Sequence, residues 1–383
     1  MPSSSAIPYF CSLVDDAVAV YTPGATEQAV GSIGFRKLAV QVLEAAQPLV
    51  QQAGSAVHFT GVQVLSAGMR SVVLRVFCQG FSSQSFILKY FRRHDSASNS
   101  GGFGYLREKH GLVALDRLVP RLYPRLYAAS DEARLLVLED VTASFPAASS
   151  LGGTLLSSPT GQDAGTQQAL DIWVDVWAMV LTSSAQANAQ AFYSRALSLA
   201  DPQATSPGAL PSPRLAFKGL ELLALQENVA LGSAEFARHE EMVHSIIYPG
   251  TEDRVLSSGD FSPANLLALT SEVAGRAPGN PVLASVQNAR GIDAEGTCWH
   301  HWALPVAELI LGFPSWPEGP LPASMVHSET WQTATQRFYQ RVAPAPLTGA
   351  SADPRVHAAL LTVRAILAEQ KGKNPVGRDI MQQ

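Results

Sequence analysis

"HFTGVQVLSAGMRSVVLRVFCQGFSSQSFILKYF" (residues 58–91) is the stretch that decides the fold. It is rich in Val, Phe and Leu, residues that suit a pleated, half-buried surface, and "SAGM" and "QGFSSQS" cut it into three runs. It therefore reads as three strands of a small antiparallel sheet. Downstream, "FGYLREKHGLVALDRL" (residues 103–118) spaces Leu106, Leu112, Val113, Leu115 and Leu118 among charges, the pattern of an amphipathic helix. "YPRLYAASDEARLLVLEDV" (residues 123–141) adds two strands around the turn "SDEA". The order is three strands, a helix, then two strands.

Outward from this block the texture changes. Residues 1–54 open with Ser and Pro and contain "KLAVQVLEAAQPLVQQAG", whose apolar spacing and terminal glycine predict one helix. Beyond residue 142, stretches rich in Ser, Gly, Pro and Thr (143–165 and 201–213) separate helical patterns such as "QQALDIWVDVWAMVLTSSAQANAQAFYSRAL" and "ALLTVRAILAEQ". The expected organisation is a helical extension (1–54), a sheet lobe (55–141) and a mainly helical lobe (142–383).

At 383 residues the chain is long enough for two lobes with separate cores. Its 46% hydrophobic and 15% charged residues describe a globular protein. A net charge of -5 supplies no global basic footprint for nucleic acid. Three scattered cysteines make no disulfide framework, and no basic leader or membrane-length apolar run is present, so a soluble, cytoplasmic location is expected.

The polar residues are arranged for phosphoryl transfer, which needs a loop over phosphates, a strand lysine, a helix carboxylate to hold it, metal ligands and a group that orients the attacking hydroxyl. The turn "LSAGMRSVV" puts Ser66 and Gly68 where backbone N–H groups approach phosphate oxygens. Lys89 in "FILKYF" lies on the third strand, and Glu108 in "YLREKHG" lies on the following helix. "LLVLEDV" leads to backbone groups around Glu139, Asp140 and Val141 that suit an adenine edge. "SSGDFSPANLL" then offers Asp260 to accept a hydrogen bond from a substrate hydroxyl and Asn265 as an oxygen ligand, while "GIDAEG" offers Asp293 as a second ligand for Mg2+. Taken singly, each has an ordinary reading as a turn, a solvated side chain or a strand end. "CWHH" (Cys298 to His301) lacks a second cluster at zinc-like spacing, and reads as packing or a substrate wall.

The ordered set "LSAGMRSVVLRV", "FILKYF", "REKHGLVAL", "YPRLYAASDEARLLVLEDV", "SGDFSPANLL" and "GIDAEG" resembles the aminoglycoside phosphotransferase family of the protein-kinase-like superfamily, over about residues 62–313. The resemblance implies an α+β, bilobal protein-kinase-like fold with an antiparallel-sheet N-lobe and a mainly helical C-lobe. It implies ATP and Mg2+, a small-molecule hydroxyl acceptor and no nucleic-acid or membrane partner. Lys89 would contact the α- and β-phosphates, Glu108 would pair with it, Asp260 would be the catalytic aspartate, and Asn265 and Asp293 would hold the metal. Three positions depart from the family: Ser258 replaces a histidine two residues before the aspartate, Ala294 replaces an aromatic, and Pro305 stands where an aspartate is expected. These keep open a nucleotide-binding scaffold without turnover.

Overall fold

The computed structural model describes residues 6–20, 33–53, 57–68, 70–81, 83–92, 104–145, 148–158, 163–186, 193, 195, 213–269, 287–316, 318, 321–347 and 349–373. The polar connection from residue 93, the Ser/Pro-rich stretch at 201–212 and the long turn at 270–286 lie outside them.

Two helices, not one, precede the sheet: α1 (Ala6–Val20) and α2 (Ile33–Ala53). In α1 the apolar residues Phe10, Leu13, Val14 and Ala17 recur at helical spacing and are buried, and Pro8 falls in the first turn, where a missing N–H costs nothing. The Ser- and Pro-rich opening concealed this stripe.

β1 (His58–Ala67), β2 (Ser71–Gln79), β3 (Ser85–Phe91), β4 (Leu126–Ser130) and β5 (Leu135–Glu139) form one antiparallel sheet in the order β1-β2-β3-β5-β4. Helix α3 (Tyr105–Leu118) links β3 to β4. Alternation gives the sheet two faces. Val72, Leu74, Val76, Phe86, Leu88, Leu135 and Val137 point outward into a core shared with α1 and α2. On the other face Val73 stands opposite Lys89, Lys89 opposite Leu136, Arg75 opposite Ile87, and Ile87 opposite Leu138. This face looks onto the second lobe.

That lobe is built on α4 (Ala164–Gln186), α5 (Pro213–Gln226), α6 (Ala234–Ile247), α7 (Ala303–Ile310), α8 (Glu329–Val342) and α9 (Pro354–Lys373). Its largest core joins Trp173 and Trp177 of α4 to Phe313, Trp331 and Phe338, and continues into Phe91, Leu136 and Leu138 of the sheet lobe. Two short sheets lie at the junction: β6 (Ala148–Ser150), β8 (Leu266–Leu269) and β9 (Ala289–Gly291) in the order β6-β8-β9, and β7 (Arg254–Ser257) with β10 (Cys298–His301). The molecule is thus an α+β, bilobal fold, with an antiparallel-sheet lobe and a mainly helical lobe. Among the described residues no helix is long and apolar enough to cross a membrane.

Helix α5 lies against α9 at Gly219, where a Cβ would sit 1.8 Å from the Ala365 carbonyl oxygen and 2.5 Å from its carbon. Both partners are helix backbone, so neither can swing aside. Gly219→Ala should therefore lower stability by at least about 1–3 kcal/mol. The check is urea unfolding, with a lower midpoint at unchanged slope expected.

Candidate active site

The β7–β8 and β9–β10 connections carry the polar residues of the lower lobe to the cleft floor. The β8–β9 pairing sets Leu266 opposite Gly291, and the Ile292 N–H donates to the Asn265 carbonyl at 3.1 Å. The segments bearing Asn265 and Asp293 are therefore held side by side. The Gly291 N–H donates to the Leu122 carbonyl at 2.8 Å, tying the floor to the chain that enters β4.

Above this floor is a cleft of about 850 Å³. Ser66, Gly68, Val73, Ile87 and Lys89 form its roof, Leu138 to Thr142 its inner end, and Asn265, Leu267, Ile292, Asp293 and Glu295 its floor. Val73 and Ile87 above, with Leu267 and Ile292 below, make two apolar surfaces suited to a flat ring. The polar groups gather toward Lys89.

Lys89 is buried, and its Nζ lies 2.6 Å from Glu108 Oε2, 3.0 Å from Asp293 Oδ1 and 3.3 Å from Glu295 Oε2. The partners come from α3 and from the loop after β9. Burial disfavours the ammonium, but Asp293, Glu108 and Glu295 outweigh it and hold the lysine well above its ordinary pKa. Glu108 moves the opposite way from a typical paired acid: burial drives its carboxyl up to about 8 against the pull of Lys89, and Asp293 and Glu295 add to the rise. More negative charge than one ammonium can neutralise is thus packed at one end of the cleft.

Glu295 is a site residue that sequence reasoning missed. Besides Lys89 it meets Arg70 of the β1–β2 turn at 3.2 Å, so it links roof and floor. Ligand oxygens of Glu108, Asp293 and Glu295 lie within 4.8 Å of one another. This oxygen-only set is of the donor type that magnesium takes, although Lys89 is paired with all three carboxyls, and Asn265 also lines the cleft.

Asp260 follows β7 on a turn in which its Oδ1 accepts the Ser262 N–H at 2.9 Å. Burial raises its pKa; the Ser262 N–H and the Asn265 side chain oppose this, and Asp293 and Glu295 reinforce it. Lys89, Asn265 and Asp293 therefore line one end of the cleft, with Glu108 behind Lys89 and Asp260 joined to the group through the Asn265 side chain. Ser66 and Gly68 line its roof.

The inner end is more committed than the sequence suggested. The Glu139 N–H donates to the Arg125 carbonyl at 2.8 Å, and its carboxylate accepts the Arg125 N–H at 3.2 Å. Val141 is buried and opens a helical turn capped by the Asp140 carboxylate, which accepts the Thr142 N–H. Asp140 also accepts from Ser85 Oγ at 2.7 Å and pairs with Arg75 Nε at 2.8 Å. Arg75 is a second cleft-lining charge that the strand pattern did not reveal.

Pro305 is buried on α7, and the acid near the Asp260 loop is Glu308, three residues further along that helix. Burial raises the Glu308 carboxyl from the usual 4.5 to about 7, with Ser315 pulling it down and Asp260 pushing it up. Because the folded value exceeds the unfolded one, its contribution to stability is complete below about pH 4.5 and is lost as pH rises through about 7. Glu308→Gln should make the loss of unfolding free energy across that window shallower by on the order of 2–3 kcal/mol. Urea unfolding at a series of pH values measures this, and an unchanged pH profile would refute it.

No family model and no curated protein matches the chain. Among solved structures, it is similar to wild-type aminoglycoside 2'-phosphotransferase-IIIa in its GDP complex, at 12% identity and a TM-score of 0.45 over 88% of this chain and 93% of that one. It is also similar to the choline kinase LicA from Streptococcus pneumoniae, at 14% identity and a TM-score of 0.41 over 87% and 90%. A third likeness is to the macrolide 2'-phosphotransferase MphH from Brachybacterium faecium, at 13% identity and a TM-score of 0.43 over 88% and 94%. These values carry no inference about activity, which has to come from the site itself.

Proposed function

We propose that the protein is an ATP-dependent small-molecule kinase that transfers the γ-phosphoryl group to a hydroxyl of its acceptor. The observation that carries this reading is the buried Lys89, held at 2.6 Å by Glu108 and 3.0 Å by Asp293, beside a loop that presents Asp260 and Asn265. A buried ammonium facing an open cleft has a use there: its charge and that of the phosphates attract strongly in a medium of reduced dielectric.

In this reading the adenine lies between Val73 and Ile87 above and Leu267 and Ile292 below, with backbone groups near Val141 at its edge, the Glu139 N–H being taken by the Arg125 carbonyl. Ser66 and Gly68 cover the phosphates, and Lys89 contacts the α- and β-phosphates. Asp260 accepts a hydrogen bond from the acceptor hydroxyl and aims its oxygen at the γ-phosphorus. A P–O bond forms to that oxygen as the bond to the β-phosphate oxygen breaks; ADP leaves, and the hydroxyl proton passes to Asp260. Asn265 and Asp293 are suited to hold Mg2+, which when bound neutralises phosphate charge. The chain's own contribution is mainly placement and fixed charge.

A nucleotide-binding scaffold is the competing reading, and Ser258 in place of a histidine is the observation in its favour. Two measurements separate them. Saturating Mg2+ and ATP, at ~100 times the dissociation constant, should add about 2.7 kcal/mol to stability under either reading; no thermal shift would remove both. Across a panel of amino alcohols, sugars, nucleosides and aminoglycosides, Asp260→Asn should lower turnover by about 10²- to 10⁴-fold while nucleotide affinity stays within twofold. ATP consumption that survives the substitution would exclude Asp260 from the reaction, and binding without turnover of any acceptor would favour the scaffold.

A further inference from the structure

His300 lies 40 positions after Asp260 in the chain, yet it touches Ser257, three residues before it, and Phe261, which follows it. The β7–β10 pairing sets His300 opposite Val255, and its buried ring reaches diagonally along the same face to Ser257 at the end of β7. Its Nε2 is 2.7 Å from Ser257 Oγ, and its Nδ1 is 3.0 Å from the His301 carbonyl. Ser257 Oγ in turn accepts the Gly259 N–H at 3.0 Å. The His300 ring also meets Phe261 edge-on, with centroids 5.0 Å apart and planes at 75°.

These contacts allow one hydrogen-bond polarity. A carbonyl only accepts, so His300 Nδ1 carries the proton. Burial keeps the ring neutral, lowering its pKa to about 4, so Nε2 is a bare acceptor. Ser257 must then donate its hydroxyl proton to Nε2, which leaves its lone pairs for the Gly259 amide. Gly259 has φ of 73°, left-handed backbone that the following Asp260 inherits as a sharp change of direction. On the far side Phe261 is held by Trp177 at 4.9 Å and by the Trp173 indole N–H, which donates to its carbonyl at 3.0 Å. Ser258, where a histidine would brace the loop from within, is buried and hydrogen-bonds to Tyr123.

We propose that His300 is a positioning residue for Asp260, supplying from β10, through Ser257 and Phe261, the support that the loop's own sequence lacks. The assignment rests on reading Asp260 as the catalytic carboxylate. It accounts for a buried imidazole whose two nitrogens are both committed and whose ring contacts one edge of the Asp260 turn.

The test uses the full chain with His300→Phe, which keeps a ring and removes the acceptor; His300→Gln, whose Oε1 replaces it; and Ser257→Ala. Hydrogen exchange at the Gly259 amide, read by NMR, should accelerate roughly 2- to 10-fold in His300→Phe and Ser257→Ala, and return toward wild type in His300→Gln. With an acceptor that is turned over, the first two variants should lose about 10- to 100-fold in kcat at unchanged nucleotide KM, and Gln should recover most of it. Unchanged Gly259 exchange in both Phe and Ala variants overturns the proposal. Equal loss of kcat in the Gln and Phe variants, or a loss confined to KM, also overturns it. If His300→Phe does not fold, Ser257→Ala carries the same two readouts. If the wild type turns over no acceptor, the kinase reading fails separately. The amide exchange then still decides whether His300 and Ser257 set the loop.

Discussion

The Lys89 ammonium is the interaction on which the rest of the molecule depends. A buried cation without partners would cost several kcal/mol. Here three carboxylates reach it: Glu108 from the helix that follows its own strand, and Asp293 and Glu295 from the opposite lobe. None of the four groups is well placed unless all three segments are docked. The charge cluster therefore fixes the position of α3 against the sheet and of the sheet against the helical lobe. Lys89, Asp293 and Glu295 of that cluster also line the cleft between the lobes.

Much of this arrangement was legible in the sequence because the chemistry constrains order along the chain. Lys89, Glu108, Asp260, Asn265 and Asp293 were picked out by their order along the chain, and the strand register shows that Lys89 shares a sheet face with Ile87. Other residues were opaque for physical reasons. Glu295 is two positions from a residue singled out, but its importance comes from Arg70, whose approach depends on how the β1–β2 turn folds over the cleft. His300 and Ser257 are 43 residues apart, and only the register of two four-residue strands joins them. Within "CWHH", the sequence posed the question of a metal ligand; the structure shows each histidine bound to its own surroundings, with His301 Nδ1 accepting the Ala303 N–H at 3.0 Å.

The first helix shows a different limit. Phe10, Leu13, Val14 and Ala17 carry helical periodicity, but the surrounding Ser, Pro and acidic residues weaken the signal, and burial against β1 and α2 supplies the stabilisation that local propensity does not. Pro305 shows the converse. Where the resemblance led to an aspartate, Pro305 is buried on α7, and the acid on that helix is Glu308, three residues further on.

The partnership of Lys89 with Asp293 joins residues 204 positions apart, one in each lobe. The largest core crosses the junction through Phe91, Leu136 and Leu138, so a wider gap there would expose apolar side chains and take compensation from the ammonium together. The protonation equilibrium of Glu108 is thus a gauge of lobe separation. Drift toward the ordinary carboxylate range would register water entering the junction before helix or strand content changed.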